Sequence, residues 1–311
     1  MRTSLLLTGV IALATLRNAA VNADEGQRPK RAKPPTWTQD VLDAFFEDAR
    51  EHLVGERPAT TVKGAAPPPV DDRRPVQPAG EFAWSQVVDG ETLATEVKRV
   101  VAGLREPLAN PGKFKAGGYK QCRADFSWLA VLFGVIAEYD GDVRWKTDAP
   151  ALRAGLARAG QNCKTATDQT FAEATARKTD LDDLVRGDSL GGGAGESEKW
   201  SSLADRVLLM QRMERGLQEG ISPKVASAAL FKKSLGDVRH EAELLAVLAD
   251  VIVREEYEYW DDVAFREHAR ELQSAVSEVR RAVKAESYEA ARAAAGRAGQ
   301  ACSDCHEGYR G

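Results

Sequence analysis

The residues best suited to chemistry stand near the end of the chain, which reads Cys302-Ser303-Asp304-Cys305-His306. The spacing Cys-x-x-Cys-His is the attachment motif of a c-type haem. On a helix, two thiols three residues apart share a face, so both sulfurs can form thioethers along one edge of the macrocycle. The imidazole of His306 then lies beside the iron as its proximal ligand. The alternative is a disulfide or metal pair followed by a chance histidine.

The motif needs a helix to position it, and the preceding residues predict one over 287–309. Six residues recur at alternating steps of three and four and so form one stripe along this helix: Tyr288, Ala291, Ala295, Ala298, Cys302 and Cys305. Residues at that spacing share a helix face. Because most of the stripe is alanine, we expect it to leave room for a flat macrocycle.

Three further amphipathic segments precede this last helix. With it, they predict four helices, at about 199–219, 232–256, 260–285 and 287–309. Connections this short make consecutive helices antiparallel, which is the arrangement of an up-down four-helix bundle.

An internal repeat indicates an earlier bundle of the same kind. Trp84 recurs as Trp200, and the run 129–132 (Leu-Ala-Val-Leu) recurs at 245–248. Both pairs are separated by 116 residues, so their alignment needs no gap. Self-similarity at a fixed offset is the signature of a duplicated unit.

The earlier copy carries no Cys or His at the motif position. Its last helix instead offers Leu181, Leu184 and Val185, and we expect these side chains to fill the volume that the second copy gives to haem. The predicted fold is therefore all-α, with two tandem up-down four-helix bundles. These are a degenerate, haemless bundle at 81–190 and a haem-binding bundle at 199–311.

The N-terminus is typical of an exported protein. A positive start, an apolar stretch at 5–16 and a small-x-small pattern ending at Ala23 predict a secretory signal peptide over residues 1–23. Residues 24–80 read as a Pro- and charge-rich linker with one short helix at 38–53. No apolar run is long enough to span a membrane. We therefore expect a soluble periplasmic protein after cleavage, because c-type haem is attached outside the cytoplasm.

Charge and composition exclude several functions. The chain has 43 Lys and Arg against 47 Asp and Glu, with a net charge of −4. Its basic residues are interspersed with acids, which argues against a nucleic-acid interface. No Ser/His/Asp set, phosphate loop or carboxylate pair rises above chance, so we do not expect an enzyme.

The C-terminal part resembles the cytochrome c′ family, including its low-spin relatives. The resemblance rests on the motif in the last helix and on its continuation, in which Tyr309 and Arg310 follow His306 as an aromatic and a basic residue do in the family. It implies a four-helix bundle with one covalent haem c at Cys302 and Cys305, and a redox partner protein. It further implies that Arg310 contacts a haem propionate.

The resemblance extends more weakly to the first helix of the second copy. There Arg206 and Met210 match an R-x-x-x-M arrangement whose methionine supplies the sixth iron ligand in low-spin members. In high-spin members that position is open or shielded by an apolar side chain. Met210 is therefore either the distal ligand or a core-filling methionine, and the first copy has Ala94 at the matching position.

These features favour an exported mono-haem c-type cytochrome that transfers one electron. The main alternative is a five-coordinate haem protein that binds a small gas such as nitric oxide or carbon monoxide. A third is a redox-partner docking module, with the first copy as the docking surface. The resemblance also allows a homodimer through the first two helices, unless the extra copy covers that surface within the chain.

Two cysteines and three histidines remain. Cys122 and Cys163 fall near the start of one predicted helix and the end of the next, so they are either a disulfide or two free core thiols. His240 reads as a surface histidine or one satisfied by a hydrogen bond, with a second axial iron ligand as the alternative. His52 and His268 stand among charged residues and are predicted to be solvated.

Overall fold

Helices make up all regular structure in the computed structural model, which describes residues 82–189 and 199–310. The long helices in chain order are α1 (Gly90–Gly103), α2 (Tyr119–Ala137), α3 (Ala149–Asn162), α4 (Asp168–Arg186), α5 (Arg206–Arg215), α6 (Leu235–Val251), α7 (Val263–Lys284) and α8 (Tyr288–Tyr309). Shorter helical pieces are Trp84–Val87, Pro111–Lys113, Trp200–Leu203 and Ala228–Lys233, with π turns at Phe114–Gly118 and Gly216–Ile221 and a 3-10 turn at Ser222–Val225. The prediction of an all-α fold is confirmed.

Side-chain caps set the starts of three of the long helices. Thr167 accepts a hydrogen bond from the Thr170 amide before α4, and Ser287 caps α8 in the same way. Asp262 accepts from the amides of Ala264 and Phe265 before α7. Each oxygen satisfies backbone N–H groups that the first turn of a helix leaves unpaired.

The eight long helices pack as two groups of four. In the first group α2 and α4 each contact both α1 and α3, which closes a ring around an apolar core. In the second group α7 packs against α6 and α8, and the π turn after α5 contacts the same two helices. None of the helices among the described residues is long and apolar enough to cross a membrane.

The 116-residue offset of the sequence recurs in the contacts between the two groups. Arg123 of α2 pairs with Asp205 just before α5, while Arg239 of α6 pairs with Asp89 just before α1. Each residue of the second pair lies 116 positions from its counterpart in the first. The two groups therefore meet through their first two helices around an approximate two-fold axis.

A buried charged cluster lies on this axis. The Glu96 carboxylate accepts hydrogen bonds from Trp128 Nε1 at 2.9 Å, Arg212 Nη2 at 3.0 Å and His240 Nε2 at 3.0 Å. Arg212 Nη2 also donates to Glu241 Oε2 at 2.9 Å. Glu96 and Arg212 are themselves 116 residues apart, so two equivalent positions face each other with opposite charges. His240 is thus buried and hydrogen-bonded, in line with one of its expected environments.

This cluster strongly perturbs the titration of its central carboxylate. Burial alone would raise the pKa of Glu96, but the hydrogen bonds from His240, Arg212 and Trp128 and the charge of Arg212 hold that pKa at about 2. A carboxylate that accepts several hydrogen bonds beside a cation is strongly favoured in its charged form. Glu96 therefore helps to hold the two groups of helices together in its ionised state.

Some sequence expectations differ from the structure or fall outside it. The segment expected at 199–219 is broken before Arg206, and the one expected at 232–256 ends at Val251. Beyond α6 the backbone adopts positive φ at Glu256 and Tyr259, which no α-helix accommodates. The signal peptide at 1–23 and the linker at 24–80, with its short helix and His52, lie outside the described residues.

Candidate haem site

Helix α8 presents the haem-attachment cysteines at the end of a buried alanine face. Ala291, Ala294 and Ala298 are fully buried against the core. Cys302 and Cys305 continue this face and are partly buried. The stripe of small residues expected from the sequence is therefore present, and it leads directly to the two thiols.

Both thiols open onto a cavity of about 210 Å³ between α5, α7 and α8. The α5 side, including the π turn that follows it, contributes Met210, Met213 and Leu217. The remaining residues that line the cavity include Ile252, Phe265, His268, Leu272, Cys302, Cys305, His306 and Arg310. Four of the five expected site residues lie in the last three turns of α8 or directly after it, and the fifth, Met210, faces them from α5.

The thiols of the motif are shielded from water to different extents. Burial raises the pKa of Cys302 to about 11, with a further contribution from neighbouring Cys305. Burial also raises the pKa of Cys305, although the nearby guanidinium of Arg206 opposes this effect. Both groups are therefore protonated thiols near neutral pH.

Two methionines from α5 line the cavity. Met210 is partly buried, and Met213, three residues later, is 6% exposed. Leu217 continues the same wall. Either thioether therefore reaches the space into which the motif opens, and Glu214 and Gln218 complete this wall.

The end of α8 is fixed by an aromatic cluster. The Tyr309 hydroxyl donates to Asp262 Oδ1 at 2.8 Å, and its ring packs against Tyr259 and Phe265 with centroids 5.1 and 5.3 Å away. Arg206 Nη1 donates to the Tyr309 carbonyl at 3.5 Å. These contacts hold the turn with His306 against the starts of α5 and α7. Arg206, the first residue of the R-x-x-x-M pattern, thus has a structural contact with the motif helix.

His268 was not expected at this site. The prediction that it is solvated is wrong, because it lines the cavity, its side chain is 25% exposed and its ring lies 6.1 Å from that of Tyr309. The charged residues beside it in sequence occupy other faces of α7. A helical pattern was available, since Phe265 precedes it by three positions and Leu272 follows it by four.

The corresponding helix of the first group lacks this arrangement. Leu181 and Leu184 of α4 are fully buried, and Ala94 stands 116 residues before Met210 on α1. Phe114 packs against Phe171 of α4 with ring centroids 5.5 Å apart. Large apolar side chains thus fill the core of the first group next to α4.

The residues around the α8 cavity fit a c-type haem. Two half-buried thiols and one imidazole come from adjacent turns of the same helix, and apolar side chains line the walls. Thioether sulfurs lie on the opposite wall, and the guanidinium of Arg310 stands at the exposed edge. This is the donor set that a covalently attached haem requires.

Comparison with known proteins agrees with this geometry. The chain matches no curated protein and no solved structure. Residues 254–310, which comprise α7, α8 and part of the preceding connection, match the family model described as Cytochrome C'. A c-type haem is the cofactor of that family. The C-terminal part of the chain is therefore similar to the cytochrome c′ family.

Proposed function

We propose that the chain is an exported mono-haem c-type cytochrome that carries one electron and is not itself an enzyme. The observation that carries the proposal is the opening of Cys302, Cys305 and His306 onto one cavity that apolar side chains line for the most part. The family match over residues 254–310 supports it independently.

The role of each site residue follows from its position. The thiols of Cys302 and Cys305 would hold the haem through thioethers, and His306 would ligate the iron from α8. When bound, a c-type haem supplies an iron that cycles between Fe(III) and Fe(II). The protein tunes the reduction potential through axial ligands, burial and nearby charge. The buried alanine face of α8 provides a flat surface beside the attachment point.

Met210 is the proposed distal ligand, because it combines partial burial with a place on the wall opposite α8. Met213 is more deeply buried and would pack against the edge of the site. A thioether ligand stabilises reduced iron and raises the reduction potential. Arg310, which is exposed at the cavity mouth, would neutralise a haem propionate.

A second candidate function rests on the apolar nature of the same wall. Met210, Met213 and Leu217 together could shield the distal side without ligating it. The iron would then be five-coordinate, and the chain would bind nitric oxide or carbon monoxide. The spin state of the iron separates this alternative from electron transfer.

A surface beside the site would receive the redox partner. We call Val207, Trp260 and Val263 the haem-end face; these side chains are 61%, 38% and 76% exposed. Asp261 directly follows Trp260 in the sequence, Glu255 precedes it by five residues, and both acids are exposed. An apolar patch with an acidic border fits a partner that presents a basic rim around an apolar contact. We therefore propose a cationic redox protein as the partner.

The first group of helices would be a second copy that has lost haem. The 116-residue offset relates the starts of α1 and α5 and those of α2 and α6, and it also relates the ion pairs between the groups. The filled core beside α4 supports a single haem per chain. We propose tandem duplication followed by loss of the first haem site at residues 81–190.

The spectrum of the purified holo-protein tests the proposal. Sharp, split bands in the reduced form are expected for six-coordinate iron and support electron transfer. Broad, unsplit bands would favour the gas-binding alternative. A protein without any haem spectrum would contradict both.

A further inference from the structure

We propose that Cys122 and Cys163 form a disulfide that ties α2 to the end of α3 in the haemless first bundle. Cys122 lies in the first turn of α2, and Cys163 directly follows α3. Their side chains are 0% and 1% exposed. Both are free thiols in the structure, and neither belongs to the haem motif.

A glycine brings the two helices together at this level. A Cβ on Gly160 would lie 2.7 Å from Ser127 Oγ and 3.5 Å from the carbonyl oxygen of Arg123. The backbone of α3 therefore touches the turn of α2 between Arg123 and Ser127. Because a disulfide needs Cα atoms about 4.4–6.8 Å apart, such a close approach is the condition that most pairs of helices fail to meet.

The direction of the helices then brings the two cysteines opposite each other. In an antiparallel pair, a step forward along one helix matches a step backward along the other. Cys163 lies three residues after Gly160, so its counterpart on α2 lies about three residues before the centre of the 123–127 turn. That position is Cys122. Burial, together with a smaller contribution from Cys163, raises the pKa of the Cys122 thiol to about 12, as expected for close neighbours.

The chemistry is thiol–disulfide exchange with a disulfide oxidant of the exporting compartment. One thiolate attacks the oxidant and releases a thiol, and the second thiolate then displaces the remaining oxidant sulfur. Two protein thiols are oxidised to one disulfide while the oxidant disulfide is reduced to two thiols. The reaction would take place during folding, before burial closes access to the pair.

The disulfide would stabilise the first bundle, which has no covalent haem to tie its helices together. The second bundle would be tied by covalent haem, whereas the first offers no Cys or His at the motif position. A disulfide across α2 and α3 would restrict the unfolded chain over residues 122–163 and so stabilise the haemless bundle.

The test is mass spectrometry of the exported holo-protein, unfolded in guanidinium with N-ethylmaleimide and without reductant. The expected result is no label on Cys122 or Cys163 and a proteolytic fragment that contains both peptides linked. After reduction, two labels should appear. Maleimide on both residues without reduction would overturn the proposal, as would linkage of either residue to a different chain.

A thermal measurement separates the bridge from simple packing. Reductant should lower the Tm of the wild-type holo-protein by roughly 5–10 °C, because thioethers to haem resist thiol reductants while the disulfide does not. The control variant Cys122→Ser/Cys163→Ser should show no reductant-dependent shift. A wild-type Tm unchanged by reductant would overturn the proposal even if the variant is less stable. Ascorbate, which does not reduce disulfides, is present in every sample so that the iron is Fe(II) throughout and the thiol reductant changes only the disulfide.

Discussion

The variant Arg212→Met probes the buried cluster that joins the two groups of helices. Arg212 is 8% exposed and hydrogen-bonds to two carboxylates, Glu96 at 3.0 Å and Glu241 at 2.9 Å. Methionine keeps much of the length of arginine but removes the charge and the donors. The variant leaves both carboxylates buried near each other, with Glu96 still bonded to Trp128 and His240.

The expected loss follows from the titration of Glu96. Its pKa falls from the ordinary value of 4.5 to about 2 in the folded chain. A difference of this size corresponds to roughly 3 kcal/mol of stabilisation of the ionised form. Removal of one partner from a buried ion pair costs about 3–5 kcal/mol. We therefore expect the free energy of unfolding at pH 7 to fall by about 3–5 kcal/mol.

The effect of Arg212→Met on stability should depend on pH, in a direction set by the lowered pKa of Glu96. Because the pKa of Glu96 is depressed on folding, its contribution is fully present above about pH 4.5 and is lost as the pH falls toward 2. Arg212→Met removes part of that contribution. The difference between wild type and variant should therefore be largest near neutral pH and should shrink below pH 4.5.

Urea unfolding from pH 7 down to pH 3 measures both effects. Arg270→Met is the matched control, because Arg270 pairs with Glu267 on the exposed surface of α7, where both side chains are more than half exposed. That control should lose less than about 1 kcal/mol. If Arg212→Met lowers the free energy of unfolding by less than about 1 kcal/mol, or by an amount that does not change with pH, the reasoning is refuted.

Further predictions concern the iron, the assembly and the partner surface. Met210→Leu should convert a six-coordinate spectrum to a high-spin one, whereas Met213→Leu should leave it six-coordinate; equal effects would argue against Met210 as ligand. The chain should sediment as a monomer at all concentrations, since its first bundle already covers α5 and α6, and a concentration-independent dimer would count against this. Electron exchange with a cationic redox protein should slow about tenfold between 10 mM and 0.5 M salt. Glu255→Lys/Asp261→Lys should slow it at low salt without changing the spectrum, and faster exchange would contradict the proposed acidic border.

The last helix could be predicted from the sequence because its chemistry and its packing share one periodicity. Ala291, Ala295, Ala298, Cys302 and Cys305 follow steps of three and four, and all of them lie on the face that packs inward. Where core positions and functional positions coincide on a helix, periodicity alone locates both.

The connection between α6 and α7 could not be predicted in this way. Its composition continues a helical pattern, but the chain leaves the helix after Val251. Tertiary contacts explain the difference, because the Tyr257 hydroxyl donates to the carbonyl oxygens of Trp200 and Ala204 at 2.8 and 3.2 Å. The helix propensities of single residues carry no information about hydrogen-bond partners that are distant in the sequence.

The buried cluster shows a second limit of sequence reasoning. Glu96 and Arg212 each look like an ordinary charged residue on an amphipathic helix, and charged residues of that kind are usually exposed. The one available signal is that positions 116 residues apart carry opposite charges. Its meaning emerges only once an approximate two-fold axis places those positions face to face.

The central claim is one covalent haem per chain, attached to α8. The most direct measurement is the haem-to-protein ratio of the exported protein, combined with mass spectrometry of the proteolytic peptide that carries the haem. The account predicts a ratio of one and a haem peptide that contains Cys302 and Cys305. A ratio near two, or haem released by acid extraction without a modified peptide, would contradict it.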